Sequence, residues 1–331
     1  MNRNELDALA AHHRLDEDAV ESMMTLAGAR PTPLEMRAFG VRLLHLAGVL
    51  SLAAGVVFFV SANWSALTVA GRFVLVEALL VVTVGVALWR PAPHAVGRYA
   101  LLMAFIVSGA LLALFGQTYQ TGADVYELFL NWALLGLVFT IAAQWSVVWA
   151  AWALVLNVAL WLYCGARPET GPLWALFSVW DLDRGQLLLG PLLIDVALWA
   201  TVIRLRNTRW EALAPEWIGR FVLACAVGVG TWSAMLVILR DGRGNESVLG
   251  LLVPLVVFVA VAVHTLRRKA DVFPLAAIEG SLIVLSTTWL AQAMDFDDVG
   301  TLLVMATWLI GTSTVSGRYL MRLVRAWESH A

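Results

Sequence analysis

The chain has 331 residues, of which 60% are hydrophobic and 14% charged, with a mean hydropathy of +0.79 and a formal net charge of -2. No ordinary water-soluble fold hides so much apolar surface, and a sequence pI of 6.3 leaves no basic footprint for nucleic acid. The composition selects an all-α, polytopic transmembrane helix bundle, with membrane lipids as its surroundings.

The chain opens on a small helical head. Residues Asn4 to Ala27 predict two short helices, with Leu6, Leu9 and Ala10 on one face and Val20, Met23 and Met24 on another, beyond a turn at His13–Asp16. Asp16 is placed to cap the second helix, and Glu17 and Asp18 in its first turn complement the dipole. A hairpin this small cannot bury a core alone. It is expected to dock on the inner face of the bundle or on a protein partner, as a solubilising cap or as a regulatory contact. Pro31 and Pro33 break the chain before the first span. The residues ahead of that span are too many and too acidic for a signal-peptide n-region, so the N-terminus is expected to be retained.

A bilayer core takes roughly 17 to 25 apolar residues per helix. By that rule spans are predicted near Arg42–Ala62, Ala70–Trp89, Tyr99–Gly116, Tyr126–Ala142, Trp145–Tyr163, Leu187–Ile203, Arg220–Leu239, Val248–Leu266, Val272–Ala291 and Thr301–Val315. The fourth and fifth are parted only by Ala143 and Gln144 and also read as one broken hairpin or re-entrant pair, so the count is about eight to ten. With the N-terminus inside, roughly seventeen of the 22 basic residues fall on one side. Both termini are then cytoplasmic, and the loop with Asp295, Asp297 and Asp298 is outside. The organisation expected is a cytosolic head over 1–38, a bundle over 39–317 and a basic cytosolic tail over 318–331.

Small residues four apart predict helix-packing seams at Ala47, Ser51 and Gly55, at Ala224 and Gly228, and at Ala226 and Gly230. Trp64, Trp89, Trp145, Trp174, Trp180, Trp210 and Trp217 fall near expected interfaces, and Pro172–Trp180 and Trp210–Trp217 read as segments lying on the membrane surface. Cys164 and Cys225 are placed too far apart to bridge, and the six histidines are scattered or point to different faces, so neither a metal site nor any other cofactor is expected.

A charge at mid-bilayer costs roughly 2.5 to 3.5 kcal/mol on insertion scales, so each one needs a reason. Glu77, Asp195 and Glu279 are such cases. The helical rise puts Glu77 and Asp195 both about 10 to 12 Å below the outer boundary, and Glu279 toward the inner half. Asn63, Gln117, Asn131 and Asn157 also map to the outer half. Pro191, one turn before Asp195, frees the carbonyl of Leu187 and predicts a kink. No Lys or Arg is expected deep enough to pair with the acids, which are then capped by polar neighbours, hydrated in a cavity, or matched to a cation or proton.

The densest polar stretch runs Gly116, Gln117, Thr118, Tyr119, Gln120, Thr121, Gly122, Ala123, Asp124, Val125, Tyr126, Glu127. Gly116 reads as a helix end, Gly122 as a turn, and Asp124 with Glu127 as a capping-box-like start. Its two Tyr, two Gln and two carboxylates also read as a solute, headgroup or cation site above the buried polar set.

The runs Ala62-Asn63-Trp64 and Gly116 to Asp124, followed by Leu128-Phe129-Leu130 and Trp132, resemble the bacterial integral membrane proteins catalogued as domain of unknown function 2157. The likeness covers the head and roughly the first five spans. It implies a bacterial inner-membrane protein with several spans and a short cytosolic head, and it carries no catalytic residue over.

Three functions follow from these readings. One is transport of a small solute, ion or lipid through an outward-facing polar cavity lined by Glu77, Asp195, Asn131 and Gln117. A second is a non-catalytic scaffold or sensor that binds a partner through its head. The third is an enzyme on a lipid-linked substrate with Asp124 or Glu127 as base, for which the sequence offers no nucleotide loop, metal helix or nucleophile.

Overall fold

The computed structural model describes residues 3–28, 30–63, 65–119, 122, 124–166, 184–206, 208, 214–239, 248–268, 271–294 and 299–328. The chain divides into two compact units, Met1–Trp64 with Glu328–Ala331, and Ser65–Trp327.

In the first unit, α1 (Arg3–His13) and α2 (Glu17–Leu26) form the expected hairpin. Asp16 caps α2 by accepting from the Ala19 N–H at 2.9 Å, and Leu6 is fully buried. Thr32 and Glu35 make a reciprocal capping box with Pro33 at the first helical position. Pro33 therefore starts a helix rather than breaking the chain. α3 (Pro33–Ala62) begins well before the expected Arg42 and ends at Asn63, whose Nδ2 donates to the Phe59 carbonyl at 2.9 Å. Ala47, Ser51 and Gly55 are exposed on α3, and nothing described lies within 4 Å of where a Gly55 Cβ would be, so the stripe is not packed within the first unit.

The second unit is an antiparallel bundle: α4 (Val69–Trp89), α5 (Ala95–Tyr119), α6 (Val125–Ala143), α7 (Ser146–Ala166), the single turn α8 (Arg184–Leu187), α9 (Leu189–Leu205), α10 (Glu216–Leu239), α11 (Leu249–Arg268), α12 (Phe273–Ala293) and α13 (Val299–Glu328). Among the described residues, α3 together with α4, α5, α6, α7, α10, α11 and α12 makes eight helices that are long and apolar enough to cross a membrane. Every segment expected to span is helical. α9, at 17 residues, is about 26 Å long, short of a hydrocarbon core of about 30 Å. The kink expected at Pro191 is the break between α8 and α9. Pro191 itself lies in the first turn of α9, where a missing N–H costs little.

Sequence neighbours pack in order from α4 to α7, whereas α10 gathers the second half, touching α7, α8, α9, α11 and α12. Glycines set the closest approaches. At Gly109 of α5 a Cβ would meet the Trp132 ring of α6 at 2.3 Å, and at Gly136 of α6 it would meet the Phe105 ring at 2.4 Å. Each aromatic ring thus lies in the gap left by the other helix's glycine, and the Trp132 indole N–H donates to the Phe105 carbonyl at 2.8 Å. Trp152 of α7 does the same to Ala133 of α6 at 2.9 Å. The α6–α7 pair is two separate helices, not one broken element. They turn at Gln144, held left-handed at φ +45°, whose carbonyl accepts from Arg98 at 3.2 Å.

α11 carries Pro254 in its interior, so the Gly250 carbonyl cannot accept from residue 254. Ser233 of α10 donates to that carbonyl at 2.9 Å, across the helix interface. Buried clusters around Tyr126, Tyr163, Leu192 and Ala226, and around Trp199, Leu223 and Phe258, fill the bundle.

Candidate functional site

The polar centre of the bundle is built by three helices. α9 presents Asp195, which is 1% exposed; α7 presents Asn157; α10 presents Cys225. Asn157 uses Nδ2 twice, donating to the Ala153 carbonyl at 3.0 Å and to Asp195 Oδ1 at 2.9 Å. Asp195 Oδ2 is buried and, among the described residues, has no hydrogen-bond partner. An unpaired buried acceptor costs about 1–3 kcal/mol. A buried oxygen of this kind calls for a partner beyond the side chains around it.

Asn157 and Cys225 lie between this carboxylate and a groove of about 730 Å³ bounded by α7, α10 and α12. Trp161 and Trp232 stand together in it with ring centroids 5.7 Å apart. Thr231 gives its proton to the Val227 carbonyl at 2.6 Å, so in the 2.6 Å contact between Thr231 and Ser281 the serine donates. Gly228 and Gly280 line the same space, and nothing lies within 4 Å of a Cβ built on either. Ala226 and Gly230 form the expected seam, with Ala226 buried and Gly230 beneath the Phe258 ring. The parallel stripe at Ala224 and Gly228 is exposed and opens the groove instead of closing a contact.

Residues 7–149 match the family model Predicted membrane protein (DUF2157). This is the family the sequence motifs resembled. The DUF2157 match runs from α1 into the start of α7 and ends before Asn157, so the groove lies in the part of the chain beyond it. No curated protein and no solved structure matches the chain.

The other expected site residues are dispersed, most of them within the DUF2157 stretch. Glu77 is exposed on α4, which packs on α5; among the described residues α4 and α9 share no packed interface, so Glu77 and Asp195 stand apart. Gln117 and Asn131 are exposed, and α5 runs through Gly116 to Tyr119. Tyr119 stacks on Phe115 and Phe73 at 4.8 and 6.0 Å. Gln120 lies outside the described residues, as do the loop with Asp295, Asp297 and Asp298, the segment 172–180, and Trp210.

Asp124 occupies the N-cap of α6 without a side-chain cap bond, so the expected capping box does not form. Glu127 instead accepts from the Tyr126 hydroxyl at 3.3 Å. The Tyr126 ring is 1% exposed and meets Tyr163 edge-on at 5.2 Å, in the same buried cluster as Leu192 and Ala226. Asn63 serves its own helix end. Glu279 accepts a short hydrogen bond from Ser316 of α13, beside a second groove of about 870 Å³ with mainly apolar walls.

Asp195 is thus the expected site residue that stands behind the groove wall, and of its neighbours here Asn157 alone was placed at its level from the sequence. Asn157 carried a signal, as an amide at the middle of an apolar helix. Cys225, Trp161, Trp232, Thr231 and Ser281 carried none, because their meeting depends on how α7, α10 and α12 cross. Among the described residues no three His, Cys, Asp or Glu side chains group as metal ligands do.

Proposed function

We propose that this is a bacterial inner-membrane protein, with both termini cytoplasmic, that handles an amphiphile of lipid class by binding it in the α7–α10–α12 groove. The observation that carries the reading is the buried, half-satisfied carboxylate of Asp195, directly behind Asn157 and Cys225 on the wall of an otherwise apolar groove. About 730 Å³ lies within the roughly 300–1,000 Å³ typical of small-molecule sites. Apolar walls with the Trp161–Trp232 pair suit an acyl or isoprenoid chain. The strip of Asn157, Thr231 and Ser281 suits a hydroxyl or amine on it, and Asn157 ties that strip to the buried carboxylate of Asp195. Solute or ion transport through a shared acidic cavity has less support, since Glu77 is exposed on α4, Asp195 is buried among α7, α9 and α10, and Glu279 bonds Ser316 of α13.

The test is photo-crosslinking of a diazirine-bearing phospholipid to the purified protein in nanodiscs, with the labelled peptides mapped. Labelling should concentrate around Trp161 and Trp232 and fall about tenfold in Gly228→Leu, which places a side chain in open space within the groove. Asp195→Asn should weaken capture of hydroxyl- or amine-bearing lipids while leaving the protein folded. Uniform labelling of all outer helix faces, unchanged by either substitution, would sink the reading.

A scaffold or sensor role for the head has its own support. Leu9, Leu15 and Leu26 of the hairpin are 44%, 36% and 89% exposed, and uncovered leucines on a small helical pair suit a protein partner. Chemical crosslinking that recovers one stoichiometric partner, lost on deletion of residues 1–29, would favour it.

A further inference from the structure

Where α9 and α11 end and α10 and α12 begin, the four helices enclose a pocket of about 200 Å³. Arg206, Arg220, Arg268 and His264 line it against a single carboxylate, Asp271. Arg220 is neutralised: its Nε and Nη2 bond the two Asp271 oxygens at 2.9 and 3.3 Å, and Nη2 also reaches Glu216 at 3.2 Å. That leaves two guanidinium groups on one small cavity, since among the described residues neither Arg206 nor Arg268 has a carboxylate partner.

The arrangement is built, not incidental. Arg206 is held across the pocket wall by donating from Nη2 to the Glu216 carbonyl at 3.2 Å. Gly219 leaves room for it there, since a Cβ at that residue would lie 2.7 Å from Nη2 and push the guanidinium aside. The floor is apolar and aromatic, with Trp199 nearly buried and its ring edge-on to His264 at 5.7 Å. Cations above a tryptophan at a helix end mark the level where hydrocarbon gives way to head groups.

We infer that this pocket binds a phosphate-bearing anion, held by Arg206 and Arg268 with His264 beside them. A guanidinium matches phosphate geometry through paired N–H donors, and the cavity has room for a head group but not for a whole lipid. The pattern of basic residues places it on the cytoplasmic side. Two sources share this chemistry: the head group of an anionic phospholipid in the inner leaflet, and a soluble phosphate from the cytosol. The inference does not depend on the amphiphile groove, which is lined by different residues.

The test uses the full-length purified protein in detergent, with phosphatidylglycerol, phosphatidylcholine and inorganic phosphate as probes and native mass spectrometry and calorimetry as readouts. The expected result is retention of phosphatidylglycerol over phosphatidylcholine, weakened about tenfold in Arg268→Gln and further in Arg206→Gln/Arg268→Gln. Arg267→Gln, one residue away and outside the pocket, should match wild type. Arg206 braces a neighbouring helix, so Arg268→Gln on its exposed turn carries the test if the double variant fails to fold. Failure of millimolar phosphate to displace the lipid assigns the site to the leaflet. Displacement, with phosphate binding alone and the same dependence on Arg268, assigns it to a soluble anion. Binding of both probes by Arg268→Gln at wild-type strength, or an equal loss in Arg267→Gln, overturns the inference.

Discussion

The hydroxyl of Ser233 substitutes for the amide proton that Pro254 lacks, and this can be weighed by a double-mutant cycle. Ser233→Ala removes the donor at 2.9 Å and leaves the Gly250 carbonyl without its cross-helix bond, at a point where the helix offers no replacement. Hydrogen bonds between membrane helices average about 0.6 kcal/mol and reach about 1.7. A stranded buried acceptor costs about 1–3 kcal/mol. The expected loss is therefore about 1.5 kcal/mol, roughly tenfold in the unfolding equilibrium. Pro254→Ala restores an N–H four residues after Gly250, so in that background Ser233→Ala should cost only about 0.5 kcal/mol, a coupling of about 1 kcal/mol. Pro254 is fully buried, and the packing lost with its ring enters both arms of the cycle and cancels. Unfolding by SDS titration in mixed micelles, followed by the fluorescence of the 16 tryptophans, measures all four proteins. An equal cost of Ser233→Ala with Pro254 and with Ala at 254 would refute the argument.

Two further outcomes are expected from the same assay. Gly109→Ala should destabilise by about 1–3 kcal/mol, because the new methyl displaces an indole pinned by its own bond to Phe105, whereas Gly116→Ala on the same helix meets nothing within 4 Å and should be neutral or gain up to about 1 kcal/mol. Equal effects would remove the aromatic interlock as the reason for Gly109. Gln144→Gly should raise stability by about 1 kcal/mol, since it relieves a left-handed residue and keeps the Arg98 bond, which is made to the main chain; a lowered midpoint would count against it.

The bundle was legible because apolar length is written locally: nine of the ten expected spans, from Arg42–Ala62 to Thr301–Val315, each fall on one helix, and Leu187–Ile203 crosses the break between α8 and α9. The N-cap at Asp16 was legible for the same reason, since its partner is three residues away. Helix ends were read less well where two signals competed. Pro33 looked like a break, but Thr32 and Glu35 turn it into a start. Gly116 looked like a stop, but α5 continues to Tyr119. The candidate site was the least legible part. Depth along a helix says nothing of its azimuth, so Glu77 and Asp195 shared an expected depth while one is exposed and the other buried. The small-residue stripes failed similarly: Ala226 with Gly230 and Ala224 with Gly228 carry the same spacing, but the first is covered by Phe258 of α11 and Leu192 of α9 while Gly228 faces the groove between α7 and α12.

α13 runs unbroken for 30 residues, so residues 318–328 of the expected basic tail are helical and continue a rod about 45 Å long. That length exceeds a hydrocarbon core of about 30 Å. Arg318, Arg322 and Arg325 then sit on the same rigid rod as Ser316, which grips Glu279. Holding the arginines in place would therefore also fix the rotation of the turn that presents Ser316 to the adjoining helix.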